Sequence, residues 1–108
     1  MPLPKIDFSA AQRLCTESEL RLLQASAEER LSRLTLGELR RHITEARRLR
    51  DRWQEESTRQ RRPIDPGSHR IDRVSPVRSR QKADLFAAAV SRFEAQLGKL
   101  GDPVARSE

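Results

Sequence analysis

The chain has 108 residues, of which 35% are apolar, 35% charged and 4% aromatic, and it carries a formal net charge of +6. That length allows one domain with one core, and so lean an apolar fraction leaves little material to build it. No apolar run approaches the roughly 18 residues of a membrane span, and a single cysteine, Cys15, excludes an internal disulfide framework and a cysteine-rich zinc cluster.

The charge is unevenly placed. Nineteen of the 22 basic residues are Arg, and between Glu38 and Lys82 there are 14 Arg/Lys against 7 Asp/Glu; residues 1–37 sum to zero and residues 83–108 to −1. A net charge gathered on one stretch creates a directed field, which points to a polyanionic or acidic partner. The start, Met1-Pro2-Leu3-Pro4-Lys5, lacks the apolar segment of a secretion signal. The expectation is a soluble, cytoplasmic protein that does not contact membranes.

Residues 1–15 mix Pro, Ala and polar residues without strong periodicity and read as an extended lead-in, with Leu3, Ile6, Phe8 and Leu14 available to tie it to a core. Thr16-Glu17-Ser18-Glu19 is a capping box, in which hydroxyl and carboxylate satisfy each other's backbone donors. Leu20, Leu23, Ala27, Leu31 and Leu34 follow at spacings of three and four, so the first helix is expected over 16–33. A second box at Ser26-Ala27-Glu28-Glu29 favours a break or kink near Ser26.

Thr35-Leu36-Gly37-Glu38 is a third box and opens the longest helix, expected over 35–61. Its apolar positions Leu36, Leu39, Ile43, Ala46, Leu49 and Trp53 fall within an arc of roughly 140° at about 100° per residue. Pro63 and the turn at Pro66-Gly67-Ser68 end it. Residues 62–75 then read as a long basic loop.

Ser75-Pro76 is a helix start, and Ala83, Phe86, Val90, Phe93, Leu97 and Leu100 follow in 3-4-3-4-3 order over a last helix at 76–99. Gly98, Gly101 and Pro103 end it, and residues 101–108 are a frayed tail. No segment alternates as a strand would. The expected fold is all-α: a single helical domain over 16–100, built as a small helical hairpin or three-helix bundle, with the two long helices antiparallel.

Little in the pattern supports catalysis. Cys15 lies at the N-terminus of a helix, where the dipole could lower its pKa, but nothing sets a histidine beside it. His42 falls at the edge of the apolar arc and His69 in the basic loop. There is no metal-ligand spacing and no glycine-rich phosphate loop. No catalytic residue, metal or cofactor is expected.

The arginines carry more information. On a helical wheel Arg41, Arg48, Arg52 and Arg59 fall within about 40° of one another, opposite the apolar arc. A guanidinium grips phosphate through its planar fork, and such a row suits a nucleic-acid backbone. Glu45, Asp51 and Glu56 stand one helical turn from Arg48, Arg47 and Arg52, so local pairing competes with that use. Arg61, Arg62, Arg70, Arg73, Arg78, Arg80 and Lys82 extend the basic region through the loop. Tyr is absent and the four aromatics look internal, which argues against base stacking.

Arg50 is the odd placement, inside the apolar arc. It is expected to pack its stem and free its head, to pair with Asp84 or Glu94, or to be an interface residue exposed in the monomer. The leading expectation is a non-enzymatic accessory protein that contacts the backbone of DNA or RNA. The alternative is an adaptor for an acidic protein, or a homo-oligomer, using the last helix's seam of Phe86, Val90, Phe93 and Leu97.

Overall fold

A computed structural model of the protein describes residues 3–60 and 76–100. Within them the fold is all-α. Five helices follow one another: α1 (Phe8–Leu14), α2 (Glu17–Ala25), α3 (Glu28–Leu31), α4 (Leu36–Gln60) and α5 (Pro76–Lys99). The expected loop at 62–75 and the tail at 101–108 lie outside the described residues, as does His69.

α4 and α5 form the main interface. His42 lies against Phe93, with ring centroids 5.3 Å apart, while Trp53 lies against Lys82. Early α4 thus meets late α5, and the two helices run antiparallel. Leu39, Ile43, Ala46 and Trp53 are buried from α4, and Ala83, Phe86, Val90, Phe93 and Leu97 from α5. Phe86 and Phe93 have no exposed surface and are the largest fully buried side chains. Burying one such ring stabilises the fold by roughly 1.5–3 kcal/mol. The periodic stripes read from the sequence therefore form one core. Their outermost members, Leu36 and Leu100, stay exposed.

α5 is buried over a wider face than its seam. Ser79, Lys82, Leu85, Ala89 and Gln96 are buried too, because α1 and α2 pack on it beside α4. α5 is the hub on which α1, α2 and α4 meet.

The segment expected to be extended contains α1. Asp7 caps it, its Oδ1 accepting the Ala10 N–H at 3.1 Å, a local hydrogen bond that periodicity over seven residues is too short to reveal. Ala11 is fully buried, and Ile6, Phe8 and Leu14 pack against the core. Arg92 fastens this end: Nε donates to the Ser26 carbonyl at 2.8 Å and Nη1 to the Pro4 carbonyl at 3.1 Å.

The capping boxes at Thr16–Glu19 and Thr35–Glu38 both form, each with its two reciprocal bonds. The middle box does not. The Ser26 hydroxyl turns back to donate to the Leu23 carbonyl at 2.6 Å, and α3 has Ala27 at its N-cap and no side-chain cap bond. Ser26 ends α2 instead, so the break falls where expected by a different bond. The buried face of α2 is also turned from the expected one. It presents Glu19, Leu22, Leu23 and Ser26, while Leu20 is only partly covered.

Candidate functional site

The solvent face of α4 places Arg41, Arg48 and Arg52 in a row. All three are exposed, and at 1.5 Å per residue they span ~16 Å along the axis. Leu39, Ile43, Ala46 and Trp53 anchor the opposite side in the core, so the row's outward aim follows from the apolar arc and needs no further device.

Each arginine has a different local environment. Arg41 forms no salt bridge among the described residues. Arg48 is held by Glu45 in a two-bond grip, its Nη2 at 2.7 Å from Oε1 and 2.6 Å from Oε2, although its side chain remains 72% exposed. Arg52 lies over Trp53, the guanidinium carbon 5.1 Å from the ring centroid; it does not pair with Glu56 as the spacing suggested. Exposed pairs of this kind are worth roughly 0–1 kcal/mol, little enough for a phosphate to compete with.

The flanking charges are also sorted. Arg47 bonds Glu94 across the α4–α5 interface instead of Asp51. Arg50 is half-buried and its Nε reaches Asp51 Oδ1 at 3.0 Å. The pairs expected for it are taken, Glu94 by Arg47 and Asp84 by Arg80 at 3.5 Å. Arg78 and Arg80 are exposed on the first turns of α5. Arg61, Arg62, Arg70 and Arg73 lie outside the described residues, as does the side chain of Arg59.

Lys82 does not belong to this basic surface. It is 4% exposed, and its Nζ sits 2.8 Å from Glu19 Oε1 and 3.6 Å from the centroid of the Trp53 ring. Trp53 Nε1 donates to the other oxygen of Glu19 at 2.9 Å, and the Thr16 N–H reaches Oε1 at 2.9 Å. One carboxylate thus joins α2, α4 and α5. Burial alone would raise the Glu19 pKa; the hydrogen bonds from Lys82, Thr16 and Trp53 outweigh it and hold the carboxyl below its ordinary value. No sequence pattern had singled out this cluster.

Among the described residues no hydrogen bond joins Cys15 to His42. Burial pushes the Cys15 thiol up to about 11, with the neighbouring Glu19 carboxylate adding to the effect and Lys82 opposing it. The lowering expected from the helix terminus is overridden, and such a thiol is not ionised at neutral pH. His42 is pulled below its ordinary value by burial, with Glu38 opposing and Arg41 assisting. Among the described residues no group of three His, Cys, Asp or Glu could hold a metal ion, and no helix is long and apolar enough to cross a membrane.

The seam of α5 is spoken for. Phe86, Val90, Phe93 and Leu97 are all core residues, so they offer no apolar strip on the outside of the chain as folded.

No family model, no curated protein and no solved structure matches this chain.

Proposed function

We propose that the protein is a binding protein without catalytic activity, which contacts the sugar–phosphate backbone of DNA or RNA through the Arg41, Arg48 and Arg52 face of α4. Arg59 would continue the row. Arg61, Arg62, Arg70 and Arg73 would extend it along the long basic loop of a helical hairpin, and Arg78 and Arg80 along the first turns of α5. The observation that supports this reading most is the row itself: exposed guanidinium groups on one line of a helix whose back is fixed in the core, with Arg41 forming no salt bridge among the described residues. Phosphate contacts position a protein on nucleic acid without reading sequence, so the binding is expected to tolerate any sequence.

The adaptor reading ranks second, because the seam it would use is already covered by α4. Its remaining support is the exposed apolar pair Leu36 and Leu100, which the antiparallel arrangement sets at the same end of the molecule.

The test is a binding titration on a labelled oligonucleotide at several salt concentrations. If the three arginines neutralise about three phosphates, affinity falls ~40-fold between roughly 50 and 200 mM salt. Replacing Arg41, Arg48 and Arg52 together by Gln flattens that slope. Absence of binding at low salt, or a slope unchanged in the triple variant, defeats the proposal.

A further inference from the structure

A cleft of about 630 Å³ is lined by residues of α1, α2, α4 and α5. That is the size range of small-molecule sites. Leu14, Leu22, Leu49 and Trp53 supply apolar lining, and Arg48 and Arg52 stand along it from α4. Glu19 and Lys82 also line it, but they are already engaged with each other and with Trp53 and Thr16. Glu45 engages Arg48 in the same way. The cation left without a carboxylate among the described residues is Arg52, spread over the Trp53 ring.

We infer that this cleft binds a small organic carboxylate with an apolar body, its carboxylate on the Arg52 guanidinium and its hydrocarbon part against Leu14, Leu22, Leu49 and the Trp53 ring. The charge balance selects the anion: with Glu19–Lys82 and Glu45–Arg48 neutral as pairs, a ligand must complement one positive group. The guanidinium fork selects a planar carboxylate, which it grips through two parallel hydrogen bonds. The apolar walls select a body that prefers to leave water. The ion pair beneath is closed to the ligand by its own bonds, so it acts as a polar floor that neither attracts nor repels strongly.

This inference stands apart from nucleic-acid binding, although Arg48 and Arg52 serve both faces. Trp53 is the only tryptophan in the chain and lines the cleft, so its fluorescence reports occupancy directly. Titration with octanoate is expected to give a saturable change in Trp53 emission at one ligand per chain. Octan-1-ol, of the same length but uncharged, and inorganic phosphate, charged but without the apolar body, are each expected to bind more weakly by ~10-fold or more. Arg52→Gln is expected to weaken octanoate by a similar ~10-fold factor. Leu49→Gln weakens octanoate but leaves oligonucleotide binding unchanged, and circular dichroism checks that both variants keep their helices. The proposal is overturned by any of three results: no saturable change with octanoate, octanol binding as well as octanoate, or phosphate displacing octanoate at equal concentration.

Discussion

The outer face of α4 and the junction of α2, α4 and α5 are built from the same kinds of charge and put them in opposite surroundings. On the outside, Arg41, Arg48 and Arg52 keep their heads in water and hold neighbours loosely. Inside, Glu19 and Lys82 have 6% and 4% of their surface exposed and depend on one another. Taking two charges out of water costs several kcal/mol per ion, and their attraction offsets this only when the geometry is good and the remaining hydrogen bonds are made. Here they are made, by Trp53 and Thr16. The outer charges are therefore free to be used on a partner, whereas the inner ones are committed to holding three helices in register.

The sharpest way to break that distinction is to remove one inner partner. Lys82→Ala leaves Glu19 buried without its counter-charge and is expected to destabilise the fold by about 3–5 kcal/mol, read as a shift of the urea midpoint. The double variant Glu19→Gln, Lys82→Met removes both charges and keeps most of the volume. It is expected to recover most of the loss. A double variant no more stable than Lys82→Ala would mean that the pair contributes through packing of the lysine stem and not through its charge.

Acid gives a second handle on the same pair. Glu19 holds its proton less tightly in the folded chain than in the unfolded one, whose ordinary value is 4.5. As pH falls, the unfolded chain takes up the proton first. The stability from this group is thus complete above 4.5 and is lost as pH drops through the lower folded value. Thermal melts between pH 7 and 3 are expected to show this fall, and Glu19→Gln is expected to flatten it. In the Gln variant any acid sensitivity left belongs to other carboxylates, among them the partly covered Glu38 at the start of α4, whose pKa is lowered chiefly by its bonds to Thr35.

The comparison also explains what the sequence could and could not reveal. The apolar arc of α4 and the 3-4 seam of α5 were legible because each is a long run of large side chains at one helical period. The caps at Thr16 and Thr35 were legible because their partners lie three residues away. Lys82 reads as part of the basic region because a charged residue counts as solvated until its environment is known. Yet a second strip was present in the letters: Ser79, Lys82, Phe86, Ala89, Phe93 and Gln96 also run 3-4-3-4-3, and all are buried. Small residues such as Ser79 and Ala89 leave room for close helix approach but carry too little apolar weight to mark a face. Glu19 was hidden similarly, already accounted for as the partner of Thr16 in the capping box. Its second role depends on Trp53 Nε1, 34 residues away, and no local pattern reaches that far. The row of arginines was visible on a wheel, but its pairing was not: Arg47 and Arg52 preferred Glu94 and Trp53 to the carboxylates one turn along.

Thr16 sits between the two regimes and tests how far the junction depends on orientation. Its N–H holds the Glu19 carboxylate that also takes Lys82 and Trp53, while its hydroxyl accepts the Glu19 N–H at 3.2 Å. Thr16→Ala removes the hydroxyl and its neighbouring methyl but keeps the backbone N–H, and an ordinary cap loss is ~1 kcal/mol. Thr35→Ala at α4 breaks the same kind of box where Glu38 is only partly covered. A cost at Thr16 clearly above that at Thr35, measured by urea denaturation, would show that the cap also aligns the buried pair. Equal costs would show that Lys82 and Trp53 hold Glu19 in place on their own.

The smallest expected effect on stability is on the outer row, and it carries the functional contrast. Arg41 and Arg48 touch no buried group that depends on their charge, so replacing either by Gln should change stability by less than about 0.5 kcal/mol. Replacing Arg52, whose guanidinium lies over the buried Trp53 ring, should cost about 0.5–1 kcal/mol. In the same variants each lost phosphate contact should flatten the logarithmic salt dependence of oligonucleotide binding by about 0.9. Stability preserved with a flattened slope separates a binding surface from a structural one. Arg41→Gln alone is the cleanest case, since Arg41 forms no salt bridge among the described residues and does not line the cleft beside Trp53. Charge-reversed Arg41→Glu should weaken binding more than Gln does, because a like charge is then held against phosphate. An oligonucleotide affinity indifferent to both substitutions would leave the outer row as a solvated helix face, and the contrast with the inner pair would then be one of solvation alone.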